Sequence, residues 1–127
     1  MLKSLVVAAA LALAAGAAIA ADPAKFFTEK HWSAVRDFYN EQMRAGHCPI
    51  GFAKKEDGCV PPSHARKWAV RKPLPSGAIR FDLPPALAAK LGKPPASHRY
   101  VRVGPDILLV SNRTKLVTDA VLDLGRR

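Results

Sequence analysis

Apolar side chains are spaced in four different ways along this chain, and each spacing predicts a different kind of element. From Leu5 to Ala15 they form an unbroken run. From Phe26 onward, Trp32, Val35, Tyr39 and Met43 recur at three- and four-residue steps, with Phe38 flanking and Glu29, Lys30, Arg36, Asp37, Glu41 and Gln42 filling other positions. That is the periodicity of an amphipathic helix. Thr28 suits its N-cap and Gly46 its stop, which bounds the helix to about 28–45. An aromatic stripe at helical spacing reads as core, so this helix needs an apolar surface downstream to dock on.

The last third of the chain provides one. Arg99 to Val103, Ile107 to Val110 and Leu116 to Leu122 are β-rich runs separated by Gly104-Pro105-Asp106 and by Ser111 to Lys115. Connectors that short make neighbouring strands antiparallel, which predicts a three-stranded meander over about 98–123. Its middle run is apolar at every position, so both of its faces are expected to be covered. The N-terminal helix is assigned to one face and the proline-rich segment before the meander to the other.

Between helix and meander the pattern is weaker. Residues 46–77 carry glycine and proline too often for long regular structure. Ala78 to Leu83 alternates apolar and polar, as a short strand or extended edge does. Pro84 to Leu91 with Gly92 behind it reads as a short helix, and the segment is expected to end at 92. A heptapeptide pattern, Pro-x-x-x-Ala-x-Lys, begins at Pro49, Pro61 and Pro84. Proline is at home in a first helical turn, so each copy predicts a proline-started turn with alanine inward and lysine outward.

The first apolar run changes how everything after it is read. Lys3, the run itself and Ala18-Ile19-Ala20 together have the form of a secretory signal peptide over 1–20, with a small-x-small cleavage site. The run falls short of the roughly 20 residues a spanning helix needs, so membrane spanning after cleavage is not expected. The remaining segment, 21–127, fits one small domain with a modest core. With Lys3 set aside, 19 basic side chains stand against 10 acidic ones. In an exported protein that balance favours an anionic envelope component or an acidic envelope protein as partner, not nucleic acid.

Export also frames the two cysteines. In an oxidising compartment Cys48 and Cys59 are most simply a disulfide, which the chain-entropy model values at about 3 kcal/mol. A competing reading takes His47, Cys48, Cys59 and His64 as a metal set, since thiolates and imidazoles are what a tetrahedral zinc site uses. The two readings exclude each other, because oxidised sulfurs do not ligate as thiolates; free or intermolecular thiols are the third option. No nucleophile elbow, His-Glu-x-x-His helix, phosphate loop or Cys-x-x-Cys pair is present, so no enzymatic activity and no cofactor are expected. Binding is the better class. Lys54, Lys55, Arg66, Lys67, Arg71 and Lys72, interleaved with Phe52 and Trp68, form the candidate partner-binding set.

Two stretches carry a family resemblance. One is His47-Cys48-Pro49-x-Gly51-x-Ala53-Lys54-Lys55-x-x-Gly58-Cys59-x-Pro61-Pro62-x-x-Ala65-x-Lys67-Trp68, followed by Pro73-Leu74-Pro75. The other is Tyr100-Val101-Arg102-Val103-Gly104-x-Asp106-Ile107-Leu108-Leu109-Val110 with Leu116-Val117-x-Asp119. Together they resemble the RcnB-like family of small exported bacterial proteins, over about 28–123. Ser63 and Lys115 stand where that family has turn glycines. The resemblance implies a periplasmic protein linked to nickel and cobalt homeostasis, with the CigR-like envelope and virulence regulators as a related branch. The architecture expected is α+β: an N-terminal amphipathic helix, a disulfide-closed proline-rich segment and a three-stranded antiparallel β-meander. The function expected is non-enzymatic binding or regulation in the periplasm, with direct transition-metal buffering, or adhesion to anionic surfaces, as alternatives.

Overall fold

A computed structural model describes residues 25–62 and 65–126. The signal peptide expected over 1–20 lies outside these residues. The order of elements is helix α1 (Glu29–Arg44), strands β1 (Ala53–Lys55) and β2 (Gly58–Val60), helix α2 (Pro85–Leu91), and strands β3 (His98–Val103), β4 (Asp106–Ser111) and β5 (Val117–Val121), with a 3₁₀ turn at Asp123–Gly125.

Helix α1 begins where the capping residue predicts. Thr28 is the N-cap in extended backbone, and its N–H donates to His31 Nδ1 at 2.9 Å, an imidazole doing the work usually given to a glutamate. The helix buries Val35 and Tyr39 fully, with Trp32, Phe38 and Met43 partly buried beside them. The stripe read from the sequence is therefore core.

The meander has the order β3-β4-β5, antiparallel throughout. Tyr100 pairs with Leu109 and Arg102 with Ile107; Ile107 pairs in turn with Val121. The register shifts between Leu109 and Val110, leaving Thr118 as the extra residue of a β-bulge. Alternation then sends neighbouring residues of β4 to opposite faces. Ile107 and Leu109 join Val35, Tyr39, Leu87, Leu91 and Leu124 in one buried cluster, under the two helices. Leu108 and Val110 join Leu74, Val101, Val117 and Ala120 in a second, with Trp68 and Ala78 packed on it. Helix on one face and proline-rich segment on the other is the division expected from the all-apolar middle run.

That segment covers the sheet as a strap. Arg71 N–H donates to Val117 O, Val117 N–H to Lys72 O and Leu74 N–H to Lys115 O, so residues 71–74 close the β5 edge. The strap then crosses the face through Leu74 and Ala78. At the other edge Phe81 and Arg102 exchange both backbone hydrogen bonds at 2.8 Å. The strand expected over 78–83 is thus extended chain with a single bridging pair. The strap thus pairs with several residues of the β5 edge and with Arg102 alone on the β3 edge.

The proline repeat is not a structural repeat. Only its third copy, α2, is helical. In the first, Phe52 N–H closes a tight turn on Pro49 O and Ala53–Lys55 is a strand, while the described residues of the second, 61–62 and 65–67, have no regular structure. The disulfide accounts for the first copy: joining Cys48 to Cys59 folds the intervening chain into a hairpin, with Lys54 opposite Cys59.

Gly125 shows how tightly the chain's end is packed. Its φ is +83°, and a Cβ there would meet Trp32 O at 2.6 Å and Arg36 N at 2.8 Å. Any side chain at this position would push the terminal turn off α1.

Candidate functional site

Two arginines decide how the cysteine hairpin and the strap sit on the sheet. Arg102 is 3% exposed although it carries a full charge. Its guanidinium donates to Gly104 O at 2.8 Å and to Ile50 O in the hairpin loop, and it lies 4.7 Å from the Phe81 ring centroid and 5.6 Å from that of Phe52. Carbonyl dipoles and ring faces take the place of water around the charge. Burial pulls its pKa down, partly offset by the Tyr39 hydroxyl beside it; burial likewise pushes Tyr39 up, partly offset by the cation. Arg102 therefore joins α1, the hairpin loop and the strap at a single buried point.

Arg66 does the corresponding work at the turn end of the sheet. Its Nε and one terminal nitrogen donate to the two oxygens of buried Asp106, both at 2.9 Å, and it approaches Asp123 at 3.6 Å. Asp106 also accepts from the Asp123 N–H at 3.0 Å. The bidentate fork holds the guanidinium charged, above its ordinary range, chiefly through its hydrogen bonds to Asp106. Arg66 thus spends its donors inside the fold.

The rest of the candidate set divides between the two sides of the sheet. Lys54 and Lys55 are exposed on β1, in the hairpin whose Phe52 packs on the helix-side core. Lys67, Arg71 and Lys72 are exposed on the strap, and Trp68 packs inward on the other core with Arg66 5.4 Å from its ring centroid. A set contiguous in sequence becomes two groups in space. Lys54, Lys55, Lys67 and Lys72 form no ion pair among the described residues.

For the metal reading the disulfide is decisive. Cys48 and Cys59 are bonded to each other, which removes both sulfur ligands from the set His47, Cys48, Cys59 and His64. His64 lies outside the described residues, and among those described no three potential ligands converge. The physical reason for the correction is that a disulfide sulfur has no thiolate charge to offer a metal.

Alongside Cys59 runs an open groove between α1 and the hairpin, bordered by Asp37, Glu41, Met43, Asp57 and Arg126. It narrows to an apolar slot between Phe52, Pro61, Pro105 and Leu124.

Three residues with leading structural roles, Arg102, Asp106 and Asp119, stand in the sequence only as members of the resembling stretch, with no role assigned to them. Asp119 accepts from the N–H groups of Phe26 and Phe27 at 2.7 and 2.8 Å and so ties down the start of the described chain. For Arg102 a signal existed. If both faces of β4 are covered, the residue paired with Ile107 must also point at a covered face.

Helices over one face, a strap over the other and a stapled hairpin at the side define a small α+β domain with internally satisfied buried charges and outward lysines. This arrangement is similar to the C-terminal domain of inner membrane protein CigR from Salmonella enterica, with a TM-score of 0.52 and 22% identity, covering 73% of this chain and 80% of that one. At that identity the likeness shows a shared fold. No protein-family model matches the sequence, and comparison with curated proteins finds no match. No helix among the described residues is long and apolar enough to cross a membrane.

Proposed function

We propose that this chain is a non-enzymatic regulatory protein of the bacterial envelope, exported by its leader, which acts by binding an acidic partner protein through its lysine-bearing hairpin and strap. The observation that carries the reading is the division of labour among the cations. Arg66 and Arg102 are consumed in holding the fold, whereas Lys54, Lys55, Lys67 and Lys72 project outward without ion pairs among the described residues. Unpaired lysines on a rigid support give long-range attraction and specificity toward acidic surfaces. The shared fold with a CigR domain supports an envelope setting, and the RcnB-like resemblance adds transition-metal homeostasis as the process served, through a partner and not through a metal site of this chain.

The test is charge reversal at Lys54, Lys55 and Lys67 together. Capture of an envelope protein from extracts should be lost while the circular dichroism spectrum stays that of the wild type. Undiminished capture by the triple variant overturns the reading. Growth of a deletion strain under nickel or cobalt stress tests the process separately.

A further inference from the structure

Strand register gathers cations at one end of the meander. Alternation along β3 puts Arg99 on the face of Val101, the one the strap covers. Arg99 pairs with Val110 and Val110 with Val117, whose O accepts from Arg71 N–H at 2.8 Å and whose N–H donates to Lys72 O at 2.9 Å. Cations on β3 and on the strap therefore close the two ends of a single row, three strand spacings or about 14 Å apart. Beyond that row the β4–β5 connection carries Arg113 and Lys115. Lys72, Arg99 and Arg113 are exposed and form no ion pair among the described residues.

Acids do not balance this end. Along β5 the first is Asp119, and both its oxygens are taken, one by the Phe26 and Phe27 N–H groups on the helix side and the other by Ala120 N–H. Asp82 follows Phe81, whose partner Arg102 stands three residues further along β3. Asp106 and Asp123 hold Arg66 at the opposite end of the meander. The remaining acids of the described residues are on α1 and at the Glu56-Asp57 hairpin turn, on the helix side.

The cations are also rigidly mounted. Asn112 N–H donates to Ser97 O and Leu74 N–H to Lys115 O, both at 2.8 Å, so the connection is fastened to β3 on one side and to the strap on the other. Lys115 Nζ donates to Asn112 O at 3.0 Å. Arg71, Ser97 and Lys115 have φ of +72°, +62° and +63°. Two of these three strained positions hold cations where glycine would fit without strain, and backbone strain gathers at functional surfaces.

We infer that this end of the meander binds a linear phosphate-bearing polymer, whose successive phosphates meet Arg99 on one side, Arg113 and Lys115 at the tip and Lys72 on the other side. The planar fork of arginine matches phosphate oxygens, and lysine adds point charges between them. The occupant is a polymer of phosphates and not an acidic protein because, of the large apolar side chains left exposed among the described residues, only Val70, at 40%, adjoins these cations in the chain. One valine is too little for a protein interface core, whereas charge repeated along a polymer needs none. The inference goes beyond the binding of a protein partner and does not depend on it. Arg99 and Arg113 lie outside the lysines on which that reading is tested, so the two fail separately.

The experiment uses the full chain expressed with its own leader and recovered from the envelope. Binding of a linear polyphosphate is measured beside orthophosphate, polyglutamate of equal charge and vesicles containing phosphatidylglycerol. The wild type should prefer polyphosphate, with an affinity that falls as salt rises. Arg99→Gln with Arg113→Gln should weaken that binding about tenfold and flatten its salt dependence. Arg44→Gln with Arg126→Gln, which removes two exposed arginines beside the hairpin groove, should leave it unchanged. Both double variants should keep the wild-type far-ultraviolet spectrum. Equal losses in the two would reduce the effect to net charge and overturn the inference. Polyglutamate or the vesicles binding as tightly as polyphosphate would overturn it too, as would orthophosphate competing at equal phosphate concentration.

Discussion

The two faces of the meander are covered by opposite means. On one, α1 and α2 lay regular helical stripes against Ile107, Leu109 and Val121; on the other, a strap with no regular element of its own covers Leu108, Val110 and Val117. The helices satisfy their own backbone groups before they pack, so they need from the sheet only an apolar surface. The strap cannot, and it borrows hydrogen-bond partners from both edge strands and a carboxylate from Asp106. Proline-rich chain can therefore serve as a layer of the fold, provided that the sheet is narrow enough for one segment to reach both edges.

The largest test of this contrast uses adjacent residues of one strand. Ile107 and Leu108 are both fully buried and face opposite layers. Truncation of either to alanine should cost about 2–5 kcal/mol in urea unfolding, with Leu108→Ala nearer the lower end because an irregular strap collapses into a cavity more readily than a helix pair does. Equal costs would show the strap to be as rigid as the helices. Reduction of the disulfide should remove about 3 kcal/mol, measured as the shift in urea midpoint with and without dithiothreitol. That loss belongs to the helix side, where Phe52 of the hairpin packs.

Breaking the strap's anchor should cost somewhat less. Asp106→Asn leaves Arg66 without its bidentate acceptor, but the Arg66 side chain is 39% exposed and can turn to water, so about 2 kcal/mol is expected. Hydrogen exchange at Arg71, Leu74 and Phe81 N–H should then accelerate, while amides of α1 should not. The smallest effect is a gain. Lys115 adopts φ +63° in the β4–β5 connection, where only glycine is unstrained. Lys115→Gly should stabilise by about 0.5–1 kcal/mol in the same denaturation assay.

Much of this architecture was legible in the order of residues. The helix at Glu29–Arg44 follows from its stripe and its caps, and the meander from three β-rich runs with connectors too short for crossovers. The pairing of Cys48 with Cys59 was expected from reading residues 1–20 as an export signal, and the structure bears the pairing out. The coverage of both faces followed from one apolar strand. The proline repeat misled because Pro49, Pro61 and Pro84 have the same local preference but different surroundings: the disulfide bends the first copy into a hairpin, whereas only Pro85–Leu91 is free to complete a helix.

The sequence by itself determined the long helix, the short helix at Pro85–Leu91, the meander and the stapled loop, because those depend on periodicity, capping and the reach of a short connector, all of them local. Tertiary structure alone decided the fate of the charges. Six neighbouring basic residues looked like one patch, yet the strap carries some of them around the sheet and the hairpin keeps the others on the helix side. Arg66 is turned inward because Asp106, forty residues away, is buried without another cation beside it. Arg102 is buried because strand register, not composition, chooses its face. Coulomb and desolvation energies depend on where distant segments meet, and that is why the binding surface is smaller and more divided than its run of basic residues implies.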